Sequence, residues 1–206
     1  MQPLFIDLTG KKIVIAGGGR IAFRKAKTLE GDNAQITFVA LDFSEEIILL
    51  ASQRGYELIK REAQADDFKD AFLSILATNE REANHALAKS LDSAQLVCVV
   101  DEAGEGNVIF PAAVRRGPLQ IAVTSNGASP KLTRMLKKQL DEQFDESWTG
   151  YSEFLGKCRD YIKKHSIPPS KKNELLAELL DDRYRLSEDE RERKWAYLQS
   201  LAETTP

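Results

Sequence analysis

Short apolar runs alternate along the first half of the chain with segments whose apolar positions recur every three or four residues. The runs KIVIA (12–16), AQITFVA (34–40), YELIKRE (56–62), AFLSILATN (71–79) and QLVCVVD (95–101) read as buried strands. Between them, the segment from Arg20 to about Leu29, the run EEIILLASQRG behind a capping Ser44, and the stretch Glu80 to Ser90 read as helices. Gly31 and Asn33 suit the stop and turn after the first of these. Strands alternating with helices in this way predict an α/β fold with a parallel, doubly wound sheet covered on both faces.

The pattern changes after Asp101. EAGEGN is turn-rich, NVIFPAAVRRGPLQIAVTSNG reads as two strands around an Arg-Arg-Gly-Pro turn, and Ser129-Pro130 has the character of an N-cap and first helical residue. From Lys131 to about Lys164 the pattern is helical, broken near 145–147. Pro168-Pro169 precedes a last helical stretch, Lys171 to Leu201, interrupted near Leu186-Ser187. The chain is therefore expected to divide into 1–111, a mixed segment 112–145 and a helical region 146–206. It shows no internal repeats.

With 206 residues, 42% hydrophobic and 30% charged, the composition is that of an ordinary globular protein with a real core. No apolar run approaches a membrane span. MQPLFIDLTGKK lacks the basic-then-apolar pattern of a secretion signal, so a cytoplasmic location is expected. Cys98 and Cys158 are far apart without a partner motif and read as structural thiols. His85 and His165 do not stand in metal-ligand spacing with each other or with a cysteine, so no resident metal is expected.

The net charge of −3 conceals an asymmetry. Residues 1–111 carry 12 Lys/Arg against 17 Asp/Glu, and residues 141–206 carry 11 against 15. Between them, residues 112–140 hold Arg115, Arg116, Lys131, Arg134, Lys137 and Lys138 with no acid. Such a local field suits a small polyanionic ligand; a solvated helix face is the plainer alternative. Nucleic acid is disfavoured by the overall acidity and the lack of an aromatic stacking platform.

The first loop carries the clearest chemistry. Gly17-Gly18-Gly19-Arg20-Ile21-Ala22 satisfies G-x-G-x-x-G/A after a strand and before a helix. Gly17 suits the tight turn, Gly19 lets backbone approach a pyrophosphate, and Ala22 keeps the helix close to the sheet. The helix N-terminus then offers N–H groups and partial positive charge to phosphates. The acid usual at the end of the second strand is missing, since Val39 and Ala40 stand there. Asp42, or backbone groups of Leu41, is expected to hold the ribose instead, and NAD is favoured over NADP.

Taken together, LFIDLTGKKIVIAGGGRIAFRKAKTL, LATNEREANHAL, VCVVDEAGEGNVIFPAAVRRGPLQIAVTSNGASPKLTRMLKKQL and YRLSEDERER resemble the precorrin-2 dehydrogenase family of siroheme biosynthesis, in its stand-alone form. The resemblance covers nearly the whole chain and is strongest over residues 3–140. It implies a Rossmann-type NAD-binding domain, a mixed dimerisation segment that also contacts substrate, and a helical C-terminal domain. It further implies a homodimer that oxidises precorrin-2, an octacarboxylate tetrapyrrole, to sirohydrochlorin with NAD, with ferrochelatase activity in some members.

Carried over position by position, the resemblance places Arg20, Ile21, Leu41 and Asp42 on the dinucleotide beside Gly17, Gly18 and Gly19, with Thr78 at the neighbouring strand end. Asp101 matches an aspartate implicated in both dehydrogenation and chelation, and a turn acid is its plainer alternative. Ser125 matches a serine modified in some bifunctional members. Ser125, Asn126, Gly127 and Ser129 equally suit a substrate carboxylate or plain capping, and Asn107, Lys131 and Arg134 are expected on the substrate side. Two further readings compete: an NAD-sensing binding module acting through a protein partner, and a chelatase with a vestigial nucleotide site.

Overall fold

β1 (Lys12–Ala16) is apolar at every position after Lys12, and it takes the centre of a five-stranded sheet. β2 (Gln35–Ala40), β3 (Glu57–Lys60), β4 (Leu73–Leu76) and β5 (Leu96–Val99) complete the order β3-β2-β1-β4-β5, with every pair parallel. Alternation along β1 sends Ile13 and Ile15 into one core layer and Val14 and Ala16 into the other. The connecting helices are α1 (Arg20–Thr28), α2 (Glu45–Arg54) and α3 (Arg81–Ser90). Ala22 and Ala26 of α1 join Ile47 and Leu50 of α2 on the Ile13 side. Leu87 and Ala88 of α3 join Phe68 on the Val14 side. A sheet buried on both faces requires such continuous apolar strands.

The computed structural model describes residues 1–203 and divides into two compact units, Met1–Phe110 and a second beginning at Pro111. The second unit opens with an antiparallel hairpin, β6 (Ala112–Arg116) and β7 (Leu119–Val123), whose turn uses Gly117 at φ 57°. α4 (Pro130–Gln143) follows, then α5 (Ser147–Lys164), α6 (Pro169–Glu178), α7 (Arg183–Leu186) and α8 (Glu188–Glu203). Tyr151, Phe154, Cys158 and Ile162 form one stripe on α5 and meet Leu175, Leu179, Tyr184 and Leu198. The last stretch, expected as one interrupted helix, breaks a second time around Leu179–Asp182. There the Leu179 carbonyl accepts the buried Tyr151 hydroxyl at 2.8 Å. A 3₁₀ turn at Ala65–Phe68, which periodicity does not reveal, inserts the fully buried Phe68 ahead of β4. Among the described residues no helix is long and apolar enough to cross a membrane.

Both cysteines are free and buried, and burial raises their thiols, Cys158 to about 11. His165 stacks on Tyr161 at 4.1 Å and ends α5.

Lys194 is 7% exposed and donates to Glu178 at 2.6 Å. That bond is the main reason the Glu178 carboxyl lies below its usual range, with burial opposing it and the Tyr184 hydroxyl assisting. A carboxyl lowered by folding adds stability that is present above its unfolded value and is lost as pH falls through the folded one. Lys194→Met is therefore expected to flatten the loss of stability of this unit below about pH 4.3. Urea midpoints between pH 7 and pH 3, read from the fluorescence of Trp148 and Trp195, check it; an unchanged acid limb would contradict it.

Candidate active site

β1 feeds the glycine loop at the point where strand order turns outward, with β2 on one side and β4 on the other. Open parallel sheets bind ligands beyond such a carboxyl edge. Three consecutive glycines allow the loop to lie against both neighbouring strand ends. A Cβ on Gly17, whose φ is 125°, would stand 2.3 Å from the Ala77 carbonyl oxygen beyond β4. A Cβ on Gly18 would stand 1.8 Å from the Asp42 carbonyl oxygen beyond β2. The Ser44 N–H donates to the Gly18 carbonyl at 2.8 Å and fixes the loop to the start of α2.

Gly19 differs from both. Nothing lies within 4 Å of a Cβ built on it, and it is the N-cap of α1 with no capping side chain and no acid in the first turn. The first-turn N–H groups and the helix dipole therefore face a space suited to phosphate. That space is a cleft of about 460 Å³ lined by Gly17, Gly18, Gly19, Val39 to Ser44, Glu62, Ala63, Ala77 to Glu80 and Ala83. Its size and its phosphate end fit a dinucleotide. Ala22 is fully buried under the loop, while Arg20 and Ile21 are exposed at its rim. Leu41 and Asp42 project from the second strand end, and Asp42 meets Lys60 of β3 at 3.4 Å.

A second group of residues meets at the ends of β4 and β5. Thr78 lines the cleft. Asn84, fully buried on α3, accepts from the Thr78 N–H at 3.1 Å and from its hydroxyl at 2.7 Å. Its amide nitrogen donates to the Thr78 carbonyl at 3.2 Å and to the Asp101 carboxylate at 3.3 Å. β5 stops at Val99, so the exposed Asp101 stands two residues past the strand and is reached through Asn84. Asn84 escaped the sequence reading because a single asparagine within a helical pattern is not distinctive. Its signal was a polar side chain on the inward face of that helix. Beside it, His85 meets Glu105 at 3.0 Å, tying the helix to the loop after Asp101.

The substrate-side expectations are redistributed. Asn107 accepts from the Val97 N–H at 2.7 Å and donates to the Gln95 carbonyl at 2.7 Å. Its amide thus extends the edge of β5. In the second unit, the Ser125 hydroxyl accepts from the Ser129 N–H at 3.0 Å and meets the Thr133 hydroxyl at 3.0 Å. Ser129 accepts from the Leu132 N–H at 3.2 Å. Ser129 therefore caps α4 and Ser125 holds the turn that leads into it, in which Asn126 and Gly127 are left-handed with φ of 49° and 84°.

The basic segment is also less open than its composition suggests. Arg116, with only 12% of its side chain exposed, is held by Asp141 at 3.0 Å and Glu146 at 3.6 Å. Lys137 and Lys138 pair with Asp141 and Glu142 along the helix. The acids just beyond residue 140 fold back on the cations. Lys131 and Arg134 make no ion pair among the described residues.

A doubly wound parallel sheet with this loop and cleft defines a dinucleotide-binding domain. The family model for putative NAD(P)-binding proteins matches residues 4–112, that for the central part of sirohaem biosynthesis proteins matches 116–143, and that for the SirC C-terminal domain matches 148–203. A precorrin-2 dehydrogenase of Priestia megaterium is 35% identical over 187 residues, spanning 91% of this chain and 93% of that one. Another, of Bacillus subtilis (strain 168), is 41% identical over 145 residues, 70% of this chain and 90% of that one. The solved structure of SirC, precorrin-2 dehydrogenase, superposes with a TM-score of 0.85 at 33% identity, covering 97% of this chain and all of that one. The chain belongs to the precorrin-2 dehydrogenase family.

The loop geometry separates two roles for its glycines. Gly18→Ala is expected to destabilise the first unit by about 2 kcal/mol, because the new methyl meets fixed backbone. Gly19→Ala is expected to leave stability within about 0.5 kcal/mol and to weaken NAD binding about tenfold by filling the phosphate approach. Urea unfolding and calorimetric NAD titration check the pair; equal stability losses in both variants would contradict it.

Proposed function

We propose that this protein oxidises precorrin-2 to sirohydrochlorin with NAD, as an enzyme of siroheme biosynthesis. The observation that carries the reading is the match to two precorrin-2 dehydrogenases over at least nine-tenths of their lengths, in a chain whose glycine loop opens onto a dinucleotide-sized cleft. When bound, NAD accepts a hydride equivalent from the substrate carbon, and the second hydrogen leaves as a proton.

The chain's own residues bind, orient and handle that proton. Gly19 and the first turn of α1 hold the pyrophosphate, with Arg20 and Ile21 at its rim. Leu41 and Asp42 hold the adenosine ribose, and Thr78 lies towards the reacting end. Asp101, exposed beyond β5, serves as the base that takes the leaving proton. Lys131 and Arg134, whose charges are not neutralised by neighbouring acids, contact substrate carboxylates. The turn of Ser125, Asn126, Gly127 and Ser129 presents backbone beside them.

The active form is a cytoplasmic homodimer. Support for the dimer comes from α4, none of whose residues is buried and which leaves Leu132 and Met135 about half exposed. Insertion of ferrous iron into sirohydrochlorin is a second activity that the same assay reads.

The test is anaerobic: purified protein, precorrin-2 generated in situ, and NAD or NADP, with the visible spectrum followed before and after ferrous iron. Conversion to sirohydrochlorin that requires NAD is expected. A further iron-dependent change above the uncatalysed rate would add chelation. No conversion with either nucleotide, in folded protein, would contradict the dehydrogenase and favour an NAD-sensing module.

A further inference from the structure

Asn84 has the surroundings of a working residue, although neither motif nor charge marks it. It is fully buried, and both ends of its amide are used: the oxygen accepts twice and the nitrogen donates twice. The orientation of the amide is fixed by chemistry. The Thr78 N–H can only donate, so the atom facing it is the oxygen, and the nitrogen must face the Thr78 carbonyl and the Asp101 carboxylate. Among the described residues, Asn84 is the only side chain that hydrogen-bonds Asp101.

Three of the four bonds hold Thr78, the residue next to the Ala77 carbonyl against which Gly17 is pressed. The fourth fixes a carboxylate that is otherwise exposed on a loop past its strand. We infer that Asn84 is a positioning residue for the dehydrogenation, its amide holding Asp101 in fixed relation to the Thr78 strand end and so to the cleft. A buried amide satisfied on all sides has no freedom to turn, so the donor it offers the Asp101 carboxylate at 3.3 Å stands in a fixed place. A residue present only to cap β4 would need the Thr78 bonds and would have no use for the Asp101 bond.

This inference rests on the dehydrogenase reading, and the test separates the two. Asn84→Asp keeps the volume and the acceptor facing the Thr78 N–H, and removes both donors. Asn84→Ser is the second variant: it is too short to reach Asp101 and adds no charge. Each is combined with Asp101→Ala in a double-mutant cycle. kcat and KM are measured anaerobically with NAD, NADH affinity by fluorescence and stability by urea.

Expected are a fall in kcat of about tenfold or more for either Asn84 variant and a change of less than about twofold for the same substitution in the Asp101→Ala background. NADH affinity of Asn84→Asp should stay within about threefold of wild type, because the acceptor for the Thr78 N–H remains. Equal losses in both backgrounds would overturn the inference and leave Asn84 a structural residue. So would a rise in KM for NAD with kcat unchanged at saturating nucleotide, or wild-type kcat in Asp101→Ala. An inert wild-type protein would instead overturn the dehydrogenase reading itself, so the two failures are distinguishable.

Discussion

Backbone pressed against backbone at the carboxyl edge of the first sheet is the constraint on which the rest of the site depends. Gly17 approaches the Ala77 carbonyl and Gly18 the Asp42 carbonyl more closely than any side chain would allow. These two contacts draw the ends of β4 and β2 towards the loop after β1, and the cleft forms around that junction. Gly19 stands apart because its missing side chain leaves space for a ligand instead of for protein. The division explains why three glycines occur in a row: two serve the fold, and one serves the phosphate.

On the other side of β1, buried polarity does similar work. An unsatisfied amide in the interior would be costly, yet Asn84 is fully partnered and links the residues that follow β4 and β5. One of those bonds reaches the exposed Asp101 carboxylate at 3.3 Å. The second unit follows a different logic. Its hairpin and α4 are held by ion pairs from Arg116 and by the hydroxyls of Ser125 and Ser129, and its helices by the stripe from Tyr151 to Ile162.

Much of this was legible in the sequence, for identifiable reasons. The strands of a sheet buried on both faces are continuous apolar runs, so KIVIA and LSIL stand out, and their spacing implied the parallel order. Ser129-Pro130 and Gly117 marked local geometry through their own backbone preferences. The glycine motif was visible as a pattern, although the use of Gly18 as a contact glycine required the position of Asp42. The hidden features depend on partners distant in the chain or just outside the window considered. Arg116 reads as an open cation until Asp141 and Glu146 fold over it, and Asn84 carries no mark until Thr78 and Asp101 come together around it. The break near Leu179 arose from a buried tyrosine 28 residues earlier, which no local pattern records.

The central claim is that the dinucleotide lies at this junction, and amide-resolved NMR of the isotope-labelled protein titrated with NAD tests it most directly. The account predicts that the largest shift changes fall on Gly18 to Ala22, Leu41, Asp42 and Thr78, with saturation at one nucleotide per chain. Changes confined to residues after Pro111, or spread without a maximum at the glycine loop, would contradict it.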